Sequence, residues 1–132
     1  MATITAQLTL SAAAGQVSTN ALNLSESDTL TVDASPMQGV SRIALEANSG
    51  SLTTLVASSA KTKLVYIKNT SLQTDGSTAT TQAIEVSIGG NDVIRINAGE
   101  WAFVPVVASA VVAAKGNDTH TILAEFAFFT RS

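Results

Sequence analysis

Residues 94–106 read IRINAGEWAFVPV, and the interpretation of the whole chain depends on them. Ile94 and Ile96 alternate with polar neighbours, Gly99 lies in a short turn, and a second apolar run follows. A period of two is typical of β-strands with one buried face. Glycine supplies the positive φ that sharp turns often require. We therefore interpret this stretch as two strands joined by a tight turn.

The second of these strands carries the only tryptophan of the chain. Trp101, Phe103 and Pro105 share one face of it, and the opposite face is aliphatic. Because Pro105 cannot donate to a hydrogen-bond ladder, the strand is predicted to lie at a sheet edge or to end there. An acid beside a tryptophan is also found at the rim of binding and catalytic sites, so Glu100 could have such a role. We interpret it instead as the solvated shoulder of the turn.

Alternation of the same kind recurs along the chain and predicts about eight to ten short strands. Gly89 and Gly90 mark the clearest hairpin turn, and the polar residues 70–81 predict a surface loop. Residues 108–115 are interpreted as at most a helical turn. The predicted strands are residues 3–10, 29–32, 40–45, 52–56, 63–69, 83–88, 93–96, 100–106 and 120–130, with a turn at residues 36–39.

Short strands with closely spaced turn signals predict an all-β fold with little helix. The architecture is either an antiparallel β-sandwich or a jelly-roll-like barrel. At 132 residues the chain fits a single domain. Residues 1–25 carry fewer large apolar side chains than the rest, so they are either part of that domain or an extended N-terminal arm that pairs with a neighbouring chain.

The composition excludes several classes of function. Only 13% of the residues are charged, about half the usual share, and serine and threonine fill the gap. A net charge of -3 with scattered cations does not favour nucleic acid as a partner. The uncharged run at residues 101–114 is too short for a bilayer, which needs roughly 20 apolar residues. Residues 1–16 lack the basic start of a signal peptide. We expect a soluble protein that binds neither nucleic acid nor membrane.

The sequence contains few residues of the types that form catalytic or metal sites. His120 is the only histidine and there is no cysteine, so neither a zinc site nor a catalytic triad is readily assembled. The turns at residues 91–92 and 117–118 each hold a single acid, whereas calcium loops carry several at alternate positions. We therefore predict that the protein is not an enzyme and has neither a metal nor a cofactor.

Aromatic residues are concentrated in the last third of the chain. Phe128 and Phe129 are adjacent, so in a regular strand they point to opposite faces of the sheet and one of them leaves the core. The outward residue either packs in a second layer or contacts another chain. The candidate contact residues are Trp101, Phe103, Pro105 and Phe129.

Four segments together resemble a known family. They are LVYIKNTS at residues 64–71, AIEVSIGG at 83–90, INAGEWAFVPV at 96–106 and AEFAFFT at 124–130. In this order they are similar to small virion β-domain proteins of tailed bacteriophages, especially head decoration (cement) proteins. The resemblance covers about residues 63–131, roughly half the chain, and its motifs are structural rather than catalytic.

The resemblance implies a structural virion protein located on the capsid surface and assembled in the host cytoplasm. Such a protein binds the outside of the assembled shell as a trimer or dimer and bridges subunits of the major capsid protein. Two other classes remain open. One is a phage tail-associated or carbohydrate-binding β-sandwich module, with Trp101 or Tyr66 stacking on a sugar ring. The other is a small hydrolase that uses His120 or a pair of carboxylates.

Overall fold

The computed structural model describes residues 1–17, 19–33 and 38–132. Within these residues it contains ten β-strands and no helix, which confirms the all-β prediction. The strands are β1 Ala2–Ala12, β2 Leu22–Val32, β3 Gln38–Leu45, β4 Thr53–Val56, β5 Lys63–Leu72, β6 Ile84–Ile88, β7 Asn91–Ile96, β8 Trp101–Val106, β9 Val112–Gly116 and β10 Ile122–Thr130.

Eight of the described strands form two four-stranded sheets. The front sheet has the order β3-β10-β5-β8, and the back sheet has the order β4-β9-β6-β7. Every pairing among them is antiparallel. The pairs β3/β10, β4/β9, β5/β8 and β6/β7 are nested inside one another along the chain, which is the strand order of a double-sheet jelly roll. The predicted antiparallel sandwich is therefore confirmed, and the sheets do not close into a barrel.

The core lies between the two sheets and consists of alternate residues on their inner faces. Val65 and Ile67 of β5 are almost fully buried, as are Ile84 and Val86 of β6. Phe128 packs against this core, so it is the inward member of the adjacent pair of phenylalanines. The period-two pattern arises because each strand of the front sheet presents one face to the back sheet.

Strands β1 and β2 form a separate two-stranded ribbon outside the sandwich. They pair antiparallel from Ala2 opposite Val32 to Ala12 opposite Leu22. The predicted strand at residues 29–32 was therefore too short, because the polar residues before it belong to the ribbon. A ribbon with both faces near solvent does not need an unbroken apolar face, so alternation alone did not reveal its full length.

Strand β9 is the element that the sequence pattern missed. Residues 108–115 were interpreted as at most a helical turn, but Val112–Gly116 is a strand that pairs with both β4 and β6. It is an interior strand of the back sheet with Ala113 and Ala114 buried. Alanine has low β-propensity, and a strand covered on both faces shows no alternation, so tertiary contacts override the local signal.

Two glycine turns have the backbone geometry that the sequence predicted. Gly89 and Gly90 have φ values of 63° and 90° and connect β6 to β7 in a two-residue hairpin. Gly99 has φ of 81° in the turn before β8. The turn predicted at residues 36–39 lies largely outside the described residues.

One charged residue lies on the core side of β5. Lys63 is only 1% exposed, and its Nζ donates hydrogen bonds to the carbonyl oxygens of Ala57 at 2.7 Å and Ala110 at 3.0 Å. Burial lowers the pKa of this amine from its ordinary value. The lysine thereby links the β4–β5 loop to the β8–β9 loop at one end of the sandwich.

Candidate interaction surface

The outer face of the front sheet, which points away from the core, is rich in aromatic side chains. The register places Tyr66 opposite Phe103, and Lys68 opposite Trp101. Phe129 lies opposite Leu64 on the same face. Trp101 is 55% exposed, which is unusual for the largest apolar side chain of a small domain. All four predicted contact residues share this outer face: Trp101, Phe103, Pro105 and Phe129.

The strand that carries the tryptophan lies at an edge of the front sheet, as Pro105 predicted. Trp101 and Pro105 are exposed there, and Phe103 between them is half-buried. The alternate residues Ala102 and Val104 pack against the core. The two faces of β8 therefore divide into an inner aliphatic face and an outer aromatic face.

Asn69 fixes the turn that leads into this strand. It is fully buried at 0% exposure, and its Nδ2 donates to the carbonyl oxygens of Gln82 at 2.7 Å and Ile96 at 3.2 Å. Its backbone also donates to the Glu100 carbonyl at 3.0 Å and accepts from the Gly99 amide at 3.1 Å. The side chain and the backbone of Asn69 therefore together hold the turn that leads into Trp101.

Glu100 closes the same turn from the solvent side. Its Oε2 accepts hydrogen bonds from the backbone nitrogen of Asn97 at 2.9 Å and from the Nδ2 of Asn97 at 3.0 Å. Both residues are exposed. The carboxylate is thus occupied in holding a turn, which agrees with its interpretation as a solvated shoulder.

Tyr66 lies in the middle of the outer face. Its hydroxyl donates to Glu125 Oε1 at 3.4 Å, and Arg42 lies 3.5 Å from the other oxygen of that carboxylate. Burial, followed by the charge and hydrogen bond of Glu125, raises the pKa of Tyr66. The hydroxyl therefore remains a protonated hydrogen-bond donor at neutral pH.

The ribbon has two chemically different faces because its cross-strand partners point to the same side. One face is uncharged and polar along its length, with pairs such as Thr5 opposite Thr29 and Thr9 opposite Ser25. The other face is mainly apolar, but its middle carries acids. The pairs on this second face are Ile4 with Leu30, Ala6 with Asp28, Leu8 with Glu26, Leu10 with Leu24 and Ala12 with Leu22.

An open cleft of about 780 Å³ separates the ribbon from the outer face of the front sheet. We call it the ribbon cleft. Its sheet wall carries aromatic rings, and its ribbon wall includes Glu26 and Asp28. Neither carboxylate forms an ion pair within the described part of the chain. The aromatic residues of the sheet wall are Tyr66, Trp101, Phe103 and Phe129.

The ribbon is joined to the sandwich at its base. Val32 forms a bridge with Arg131, and the Asp33 amide donates to the Thr130 carbonyl at 2.8 Å. Lys61 Nζ lies 2.8 Å from Asp33 Oδ2. Away from this base, Leu8, Leu10 and Leu22 are each 41 to 44% exposed. The half of the ribbon that is distant from its base therefore shows leucines to solvent.

His120 lies in a different region and joins no catalytic arrangement among the described residues. It is exposed, and its Nδ1 lies 2.9 Å from the side-chain amide of Gln82 and 3.1 Å from the hydroxyl of Thr119. It precedes β10, whose first residue is Ile122, so the predicted strand began too early. No group of three or more His, Cys, Asp or Glu side chains in the described ranges is arranged to hold a metal ion.

The sequence predicted the aromatic residues on the sheet wall of the cleft but not the acids on its ribbon wall. Alternation along residues 63–69 puts Tyr66 on the face opposite Val65 and Ile67, so its outward position follows from the sequence. Glu26 and Asp28 were missed because their segment was not recognised as a strand. The available signal was the alternate spacing of Leu22, Leu24, Leu30 and Val32, which the two acids interrupt.

Comparison with known proteins adds no family to these observations. No protein-family model matches the chain, and no curated protein matches it. No helix in the described part of the structure has the length and apolar character needed to cross a membrane.

Proposed function

We propose that this protein is a structural virion protein that binds the outside of an assembled phage capsid and bridges subunits of the major capsid protein. The observation that carries the proposal is the combination of a projecting ribbon with exposed leucines and an aromatic sheet face on which Trp101 is exposed. Contiguous exposed apolar surfaces of this kind mark sites of protein association. The choice of a capsid protein as the partner rests on the resemblance of residues 63–131 to head decoration proteins of tailed bacteriophages.

The mechanism is thermodynamic linkage. A protein that binds the assembled lattice but not the separated subunits stabilises the lattice by its binding free energy. Each copy bridges neighbouring subunits, so modest contacts combine into high avidity. The low share of charged residues, 13%, is consistent with contacts that rely on apolar and hydrogen-bonding groups rather than on ion pairs.

Co-sedimentation of the purified protein with expanded capsids that lack it tests the proposal. We expect saturable binding and a higher temperature of capsid disruption when the protein is bound. Trp101→Ala is expected to weaken binding, whereas Val93→Ala is the matched control, because Val93 is 56% exposed on β7 of the back sheet. Absence of capsid binding at near-saturating protein concentration contradicts the proposal.

A carbohydrate-binding module is the second candidate, and the ribbon cleft favours it specifically. Tyr66 and Trp101 line the same cleft as Glu26 and Asp28, so a sugar ring would meet an aromatic surface on one side and carboxylate acceptors on the other. Double-sheet jelly rolls also occur among lectin domains, an analogy at the level of fold alone. Glycan-array binding that is lost in Trp101→Ala supports this candidate, and an array without binding removes it.

A further inference from the structure

The two walls of the ribbon cleft differ in chemistry. The sheet wall carries four aromatic residues, of which Trp101 is 55% exposed. The ribbon wall carries Glu26 and Asp28, which project from the same face of β2 because they are alternate residues of that strand. Ile4 and Leu8 lie beside these acids and also line the cleft. An aromatic surface and two carboxylates therefore line one open cavity of about 780 Å³.

The cleft has a negative charge that its own lining does not neutralise. Among the described residues that line it, Glu26 and Asp28 are the only charged ones. Neither takes part in the ion pairs of the described chain, in which Arg42 and Lys61 are paired with other acids. Lys68 is also on the outer face of the front sheet, but it does not line the cleft. The charge of the cleft is therefore complementary to a cationic occupant.

The aromatic wall determines which kind of cation fits. A hard metal ion takes several oxygen ligands, and in the described ranges no three acidic or histidine side chains are arranged to hold one. A guanidinium group is planar, stacks on aromatic rings and donates hydrogen bonds to carboxylates in a fixed fork. It is also more weakly hydrated than an ammonium group, so it leaves water at a lower cost. Of the cationic side chains in proteins, arginine therefore matches both walls best.

We propose that the ribbon cleft holds an arginine side chain of the partner protein, which under the proposed function is the major capsid protein. The guanidinium group stacks on the aromatic wall beside Trp101 and donates hydrogen bonds to Glu26 and Asp28. The methylene stem of the arginine packs against Ile4 and Leu8, as long cationic side chains do along apolar surfaces. The identity of the partner rests on the proposed function, whereas the preference for a guanidinium group rests on the cleft alone.

The dimensions of the cleft agree with such an occupant. Its volume of about 780 Å³ lies within the roughly 300–1,000 Å³ typical of pockets for small ligands. A space of that size holds one long side chain with the backbone next to it, but no folded element of a partner. The cleft is open to solvent, so a side chain that projects from another protein can enter it. Arginine is also one of the residues enriched at the energetic centres of protein interfaces.

A small probe tests the cleft without a capsid. N-acetyl-arginine methylamide is compared with the citrulline analogue, which has a urea group of the same shape and no charge. The indole N–H of Trp101 gives one NMR signal, because the chain contains a single tryptophan. We expect the arginine probe to shift this signal saturably and to bind at least tenfold more tightly than the citrulline probe. The preference should disappear in Glu26→Gln/Asp28→Asn.

Three outcomes of the titration overturn the inference. They are equal binding of the arginine and citrulline probes, no shift with either probe, and an unchanged preference in the double variant. Tetramethylammonium is the third probe, since it stacks on aromatic rings but cannot donate hydrogen bonds to carboxylates. Tighter binding of tetramethylammonium than of the arginine probe would assign the cleft to a quaternary amine and also overturn the inference.

Capsid co-sedimentation tests the partner. We expect Glu26→Gln/Asp28→Asn to raise the dissociation constant for capsids at least tenfold. The matched control is Glu46→Gln/Asp92→Asn, which removes the same two charges from exposed residues outside the cleft. Capsid binding that is equally strong in the two double variants overturns the arginine contact and leaves the proposed function standing. Binding of the arginine probe without any binding of capsids refutes the proposed function and leaves the preference of the cleft standing.

Discussion

Replacing Asn69 by alanine should destabilise the domain far more than the small size of the change suggests. The substitution removes three hydrogen bonds of a fully buried side chain: two donated to the Gln82 and Ile96 carbonyls, and one accepted from the Ser71 amide at 3.0 Å. Each is worth about 0.5–1.5 kcal/mol, and buried partners left unpaired add to the loss. We expect the free energy of unfolding to fall by about 3 kcal/mol.

The matched control is Asn97→Ala, in the turn that Asn69 of β5 contacts. Asn97 is exposed, and its side chain makes one hydrogen bond, to Glu100 Oε2 at 3.0 Å. Water replaces that partner when the side chain is removed, so we expect a loss below about 1 kcal/mol. The comparison separates the effect of a buried hydrogen-bond network from the effect of losing an asparagine in a turn.

Urea denaturation followed by tryptophan fluorescence measures both variants. Trp101 is the only tryptophan and follows the turn directly, so it reports on the region that Asn69 holds. An unchanged m value shows that the change lies in stability and not in the surface exposed on unfolding. A loss below 1 kcal/mol for Asn69→Ala, or one equal to that of Asn97→Ala, refutes the assignment of Asn69 as the residue that fixes the turn.

Two further predictions concern ionisable groups. Lys63→Ala should cost about 2–4 kcal/mol by denaturation, because it removes a buried stem and leaves two carbonyls unpaired, whereas Lys63→Met keeps the stem and should cost less. Burial lowers the pKa of Lys63 from its ordinary value of 10.5. Between the lowered pKa and 10.5, the folded chain therefore binds fewer protons than the unfolded chain. The free energy of unfolding should rise with pH across this window in the native chain but not in Lys63→Met. The Asp75 carboxylate accepts hydrogen bonds from the Thr78 hydroxyl and the Ser77 and Thr78 amides, which lower its pKa to about 2. NMR titration should give that value and a higher one in Thr78→Val, and the stabilisation by this carboxylate should be lost as the pH falls from 3.8 towards 2.

The sequence could predict those strands whose two faces meet different surroundings. In β5, Val65 and Ile67 face the core while Tyr66 faces outward, so the pattern carries the information directly. The same reasoning placed Trp101, Phe103 and Phe129 on an outer face. The nested order of the sheets could not be predicted, because β3 pairs with β10 across most of the chain and no local signal encodes that partnership.

Only the sheet wall of the ribbon cleft could be predicted from the sequence, for a related reason. Alternation shows which side chains leave the core, but it does not show what lies above them. The covering element is a ribbon whose acids interrupt its apolar face, so it resembles a polar loop in sequence. Its role becomes visible only when the register places Asp28 beside Ala6 and Glu26 beside Leu8.

The ribbon is the part of the molecule whose order most requires explanation. An isolated two-stranded hairpin is at best marginally stable in water, and fixing the backbone of each residue costs about 1–2 kcal/mol of conformational entropy. This ribbon has 11 residues in each strand and exposes most of its leucines. The contacts of Val32 and Asp33 with the sandwich hold only the end of the ribbon that lies next to it. A partner that covers these leucines is therefore expected to stabilise the ribbon by its binding free energy.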